Sequence, residues 1–191
     1  MTAPSLTLLI GGVRAGKSAR ALSLATARHA HGTMLFVATA QAFDDEMRTR
    51  IEAHRRERRE RSPGWETLES PIDVARDIER RREREPRVAL IVVDCLTLWV
   101  SNILLALPAE AEADAEADAE AVVGERTREL LESLSGVPSI VVTNEVGLGV
   151  VPPTPLGRHY RDALGRANQL VAAAADEVML MVAGLELKLK G

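Results

Sequence analysis

Leu8-Leu9-Ile10-Gly11-Gly12-Val13-Arg14-Ala15-Gly16-Lys17-Ser18 is the stretch that decides the fold. An apolar strand runs straight into G-x-x-x-x-G-K-[ST], and the Ala-rich segment Ala19 to Ala27 continues as a helix. Glycines in such a loop let backbone N–H groups close around phosphate oxygens. Lys17 reaches the β- and γ-phosphates, and the Ser18 hydroxyl can ligate Mg²⁺. A helix opening near Gly16 aims its positive end at the same anion. The ligand class is therefore a nucleoside triphosphate. Its seat is Gly11, Gly12, Val13, Arg14, Ala15, Gly16, Lys17 and Ser18.

Outward from this loop, short apolar runs alternate with longer helical stretches. Leu6–Ile10, Met34–Ala38, Val88–Asp94, Ser139–Thr143 and Val178–Val182 read as strands. Most are continuous in Val, Ile and Leu, as strands of a parallel sheet covered on both faces are. The predicted helices are Lys17–Ala30, Asp44–Arg61, Ile72–Glu85, Leu96–Leu107, Ala109–Leu134 and Leu156–Ala175. The expected fold is α/β, a P-loop NTPase-like (RecA-like) three-layer arrangement with a mostly parallel central sheet. Leu185–Lys190 alternates apolar and polar residues, which predicts an antiparallel C-terminal edge strand with its lysines facing solvent.

The chain has 191 residues, enough for a single P-loop catalytic domain over 1–191 with a substantial core. A net charge of −4 gives no global reason to expect nucleic acid, and no aromatic residues interleave with the basic run Arg55–Arg61. No apolar stretch reaches the roughly 18–20 residues that span a bilayer, and the N-terminus lacks a signal-peptide pattern. A cytoplasmic protein without membrane insertion is expected. Cys95 is the single cysteine and, set in an apolar run, reads as a small buried hydrophobe. Ala109–Ala121 is an Ala/Glu/Asp repeat that reads as a solvated helix.

Asp94 ends the apolar strand Val88–Val93. A carboxylate there has the Walker B arrangement, contacting Mg²⁺ directly or through water, so Ser18 and Asp94 are the candidate metal ligands. On a helix, Arg50 and His54 share one face. A neutral imidazole near a triphosphate is a competent nucleophile toward phosphorus. By composition alone, however, His54 reads as an exposed helical histidine. Thr143-Asn144-Glu145-Val146-Gly147-Leu148-Gly149-Val150-Val151-Pro152 follows a strand and belongs at the same sheet edge. Asn144 and Glu145 can bind a hydroxyl or order the loop.

Together these blocks resemble the bifunctional adenosylcobinamide kinase/adenosylcobinamide-phosphate guanylyltransferase family of cobalamin biosynthesis. The resemblance is carried by Gly11–Ser18, Ala38-Thr39, Asp45-Glu46-Met47 through Arg50-Ile51 to His54, and Trp65–Glu69. It continues through Asp94–Trp99 with Asn102, Thr143–Pro152, and Arg158 through Val178. It implies that ATP or GTP phosphorylates the aminopropanol hydroxyl of adenosylcobinamide. GMP from GTP is then transferred to the new phosphate through a GMP–histidine intermediate, releasing pyrophosphate. The resemblance makes His54 the nucleophile and, with Lys17, the catalytic pair. It assigns nucleotide contacts to Ala38, Thr39, Ala40, Arg55, Arg56, Glu57, Arg58, Glu69 and Asp94, and implies a homotrimer. The chain departs from the family in having Ala15 where Ser is frequent, and in a longer segment between His54 and Trp65.

Overall fold

The structure, a computed structural model, describes residues 5–28, 32–42, 64–84, 87–107 and 115–191, together with Asp45, Arg48, Thr49, Glu52 and Arg56. Its elements are β1 (Leu6–Gly11), α1 (Lys17–Arg28), β2 (Thr33–Ala38), β3 (Glu66–Glu69), α2 (Val74–Arg84), β4 (Val88–Asp94) and α3 (Leu96–Ala106). They continue as α4 (Ala115–Leu134), β5 (Ser139–Asn144), α5 (Pro155–Ala174), β6 (Glu177–Val182) and β7 (Leu185–Lys190). Seven strands form one sheet in the order β3-β2-β4-β5-β1-β6-β7. All pairings are parallel except β6–β7.

The strands form because their side chains are buried on both faces. On one face, Leu9, Phe36, Leu90, Val92, Ile140, Val142 and Met179 pack against Ala21, Leu24 and Ala25 of α1. On the other, Leu8, Leu35, Val37, Ile91, Val93 and Val141 meet α2 to α5. Three layers result, as a parallel sheet with crossover helices requires.

The sequence reading missed β3. Its half-polar run Glu66-Thr67-Leu68-Glu69 has four residues and occupies an edge, where only one neighbour demands apolar side chains. Most helix ends shift by a residue or two; the predicted ends at Ala30, Glu85 and Ala109 lie outside the described residues, as does most of the predicted Asp44–Arg61 helix. The described residues of that helix (Asp45, Arg48, Thr49, Glu52 and Arg56) are helical. The lysines of β7 do not simply face solvent. Lys188 pairs with Glu177 at 3.5 Å. Lys190 donates to the carbonyls of Ala172 and Ala173 at the end of α5 (3.0 and 2.9 Å). A cation suits that position, where the last helical carbonyls lack intrahelical donors. The leucines of β7 are exposed as well.

The β6–β7 edge is held to the body by charge. Arg28 bonds the Glu177 carboxylate (2.6 Å) and the Thr7 hydroxyl (2.7 Å), largely out of water. Arg20 on α1 grips Glu186 of β7 through two hydrogen bonds. The hairpin is thereby fixed to the helix that begins the phosphate loop's anion site.

Candidate functional site

The carboxyl ends of the parallel strands share one edge, and the candidate residues gather there. Register sets Gly11 opposite Asn144 and Met181, and Ala38 opposite both Asp94 and Glu69. Gly11 is glycine because a Cβ would lie 2.2 Å from the Met181 carbonyl oxygen. Gly16 sits at φ +91°, a backbone region costly for any residue with a Cβ.

The loop closes on itself and on the hairpin. Ala15 N–H donates to Gly12 O (3.3 Å), and Arg20 N–H to Gly16 O (3.0 Å), which starts α1. Gly184 N–H, in the β6–β7 turn, donates to Ala15 O at 3.1 Å. A trans peptide sets its N–H opposite its carbonyl. With Ala15 O held by the hairpin, Gly16 N–H points away from it, the orientation an anion-binding loop needs. The sequence hints at a turn in Ala183-Gly184 between two strands. Its contact with the phosphate loop is a tertiary fact without a local signal.

Lys17 is buried, and its Nζ donates to the carbonyls of Gly11 (3.0 Å) and Gly12 (2.6 Å). Burial pulls its pKa below the ordinary lysine value, while Cys95 and the Asp94 carboxylate push it back up. Asp94, at the end of β4, is thus close enough to Lys17 for its carboxylate to contribute to that shift. Ser18 is half-buried in the first turn of α1. A serine hydroxyl and an aspartate carboxylate are hard oxygen donors, the kind that would suit Mg²⁺ together with nucleotide phosphates. Burial pushes the Cys95 thiol up to about 11, so it is neutral at pH 7 and acts as packing, as the apolar context suggests.

The β2–β4 side is built by buried hydrogen bonds that sequence reading did not find. The Thr39 hydroxyl accepts from Cys95 N–H and donates to Cys95 O, each at 2.8 Å. Thr39 N–H donates to Asp94 O (3.1 Å). The Asn102 amide donates to Thr39 O (2.8 Å) and Pro71 O (2.9 Å). Trp99 Nε1 donates to Ile72 O (2.8 Å). Thr39 is thus a clamp fixing the end of β4, with Ala38 and Ala40 half-buried on either side. The signal was present as a lone Asn in the apolar helix Leu96–Ala106, because a buried amide needs partners. Glu69 ends β3 at the same edge and is exposed.

On the β5 side, Asn144 N–H donates to the Thr97 hydroxyl (2.9 Å), and Asn168 bridges the Thr143 hydroxyl and Asn144 O. Glu145 N–H donates to Gly11 O (3.2 Å), joining this loop to the phosphate loop. The Glu145 carboxylate accepts from Gly147 N–H (2.5 Å). The Glu145 carboxylate thus orders its own loop, while the bonds given by Asn144 are those of its backbone. Arg56 is helical and exposed; His54, Arg55, Glu57 and Arg58 lie outside the described residues.

The family model of cobinamide kinase / cobinamide phosphate guanyltransferase matches residues 7–189. The chain is 41% identical over 186 residues to the bifunctional adenosylcobalamin biosynthesis protein CobP of Pseudomonas aeruginosa, covering 96% of each. It is 36% identical over 195 residues to the bifunctional adenosylcobalamin biosynthesis protein CobU of Salmonella typhimurium, covering 97% of this chain and 99% of that protein. Among solved structures, an ATPase domain aligns with TM-score 0.51 at 15% identity, over 92% of this chain and 68% of that one. The fold is that of the RecA-like P-loop NTPases, as the sequence predicts.

Proposed function

The chain belongs to the cobinamide kinase / cobinamide phosphate guanyltransferase family, and from that premise we propose the following reaction sequence. ATP or GTP phosphorylates the aminopropanol hydroxyl of adenosylcobinamide. GMP from GTP is then passed to the phosphate through His54. The observation that carries the reading is the joining of Lys17, Asp94 and the phosphate loop at one sheet edge, in a chain matching the family over 7–189.

In the kinase step the acceptor hydroxyl attacks the γ-phosphorus and the nucleoside diphosphate leaves. Lys17 and the loop N–H groups offset charge on the transferring group. In the second step an imidazole nitrogen of His54 attacks the α-phosphorus of GTP. The α–β bridging P–O bond breaks, its electron pair leaves with pyrophosphate, and a P–N bond forms. A phosphate oxygen of the acceptor then attacks the same phosphorus, the P–N bond breaks and His54 is regained. Ser18 and Asp94 would hold Mg²⁺, which when bound would supply charge neutralisation at the phosphates. Ala38 to Ala40, Glu69, Asp94, Arg56 and the neighbouring Arg55, Glu57 and Arg58 contact the nucleotide in this reading. A single catalytic domain, a cytoplasmic location and a homotrimer belong to it as well, the last carried by family resemblance.

The test is product analysis by mass with adenosylcobinamide and GTP. The wild type gives adenosylcobinamide-GDP and pyrophosphate. His54→Asn stops at adenosylcobinamide phosphate, and Lys17→Ala makes neither product. A His54→Asn protein that still completes the second step removes the histidine from the mechanism.

A further inference from the structure

Phosphorylating an alcohol leaves a proton to be placed. The hydroxyl oxygen attacks the γ-phosphorus, and the bridging P–O bond to the β-phosphate breaks with its electron pair leaving on the nucleoside diphosphate. The hydroxyl proton must go to a base, and a carboxylate beside the phosphate loop suits that task. The second reaction makes no such demand, because its acceptor is a phosphate oxygen that is already ionised at neutral pH.

Strand order ranks the carboxylates at the carboxyl ends of the sheet. Glu69 ends β3, four strands from β1 and about 19 Å away at the usual strand spacing. Glu186, just past the β6 end, is committed to Arg20 through two hydrogen bonds. Asp94 ends β4, with β5 between it and β1, and would hold the metal in the function proposed above. Glu145 directly follows β5, the strand paired with β1.

Glu145 is fastened to the phosphate loop. Its backbone N–H donates to Gly11 O at 3.2 Å, and the Lys17 ammonium donates to the same oxygen at 3.0 Å. The Glu145 nitrogen and the lysine that meets the phosphates are thus no further apart than those two bonds laid end to end. The backbone just before it is held as well, Asn144 N–H by Thr97 and Asn144 O by Asn168. The side chain is half-buried, at the surface of the loop. Its Oε1 accepts from Gly147 N–H (2.5 Å), and glycine keeps that place open, since a Cβ there would lie 2.9 Å from the same oxygen. Among the described residues this is the carboxylate's one donor. A carboxylate has about four acceptor sites, so Oε2 keeps its lone pairs for a hydroxyl.

We infer that Glu145 is the general base of the kinase step and takes no chemical part in the guanylyl transfer. This rests on the kinase reaction proposed above. The acceptor hydroxyl, brought to the phosphate loop, donates to Oε2 while Gly147 N–H holds Oε1. As the new O–P bond forms, the proton passes to the carboxylate and from there to water. Glu145 and His54 thereby divide the two reactions between them: the base serves the attack on the γ-phosphorus, the histidine the attack on the α-phosphorus.

The test is Glu145→Gln in the full chain. The amide is of the same size and its carbonyl oxygen still accepts from Gly147 N–H, so the loop keeps its bond while the base is lost. GTP is the nucleotide throughout. The kinase step is read as adenosylcobinamide-dependent release of GDP, and the transfer as pyrophosphate released with adenosylcobinamide phosphate. A positioned general base is worth about 10²–10⁴ in rate, so kcat of the kinase step should fall about a hundredfold or more. The kcat of the transfer, and the GTP Kd by titration calorimetry, should stay within threefold of wild type. A kinase step slowed less than tenfold overturns the assignment. So does a parallel fall in both reactions, or a GTP Kd weakened tenfold, because the carboxylate then only shapes the loop. A wild type that releases no GDP in response to adenosylcobinamide overturns the kinase reading itself, and the base with it.

Discussion

Gly11→Ala and Gly12→Ala make a matched pair at adjacent glycines of the phosphate loop. A Cβ on Gly11 would stand 2.2 Å from the Met181 carbonyl oxygen and 3.1 Å from the carbonyl carbon. Real contacts of this kind stay beyond 3.0 Å, so the strands must part by about 0.8 Å. No flexible side chain can yield, because the obstacle is backbone. Gly11 is also held between two partners, opposite Asn144 of β5 and Met181 of β6, and cannot slide to one side. Overpacking costs about 1–3 kcal/mol, and a backbone-on-backbone clash belongs at the upper end, about 3 kcal/mol. For a chain of this length each kcal/mol moves Tm by about 2–4 °C, so Gly11→Ala should melt about 6–12 °C lower. Gly12 has nothing within 4 Å of its ideal Cβ and no positive φ. Alanine there costs no contact and restrains the unfolded chain slightly, so Tm should stay within about 3 °C. Calorimetry on both variants decides the matter. A Gly11→Ala protein melting within about 2 °C of wild type, or an equal fall in both, would show that the clash does not set the cost.

Three further outcomes are expected. Lys17→Ala removes charge-assisted bonds of about 1.5–3 kcal/mol to the phosphates, so GTP affinity by titration calorimetry should fall about ten- to hundredfold; an unchanged Kd contradicts the loop's role. Asn102→Ala strips the donor from the buried Thr39 carbonyl and the half-buried Pro71 carbonyl and should cost about 2–4 kcal/mol in urea unfolding. The backbone N–H groups of Leu6 and Ser5 hold the Asp176 carboxyl below its ordinary value. Its stabilisation is therefore full above the unfolded pKa of about 3.9 and is lost as pH falls through the lower folded value. Asp176→Asn should be less stable than wild type at pH 7, and the gap in urea midpoint should narrow as pH falls below the ordinary carboxylate range; a pH-independent gap argues against it.

The layered fold was legible because parallel strands buried on both faces must be largely apolar, as Leu8–Ile10 and Val88–Val93 are throughout. β3 was not, since an edge strand of four residues carries no such demand. The phosphate loop was legible because its function is local, with backbone, Lys17 and Ser18 within one turn and its flanks. The Thr39–Cys95–Asn102 clamp joins residues far apart in the chain, and only tertiary structure pairs them. Residues 148–156 were readable as a loop, but the exposure of Leu148, Val150 and Val151 was not, because valines in a sequence do not announce which side of the fold they face. His54 drew its importance from the resemblance and not from any pattern in its own helix.

At the heart of the proposed mechanism, one phosphate loop serves a nucleotidyl transfer through histidine. Protein labelling with GTP alone, carrying ³²P at either the α or the γ position, addresses it without any acceptor present. The α-label should give an acid-labile, base-stable adduct, the γ-label none, and His54→Asn should lose the adduct. Label retained from the γ position, or an undiminished α-adduct in His54→Asn, would contradict the histidine route.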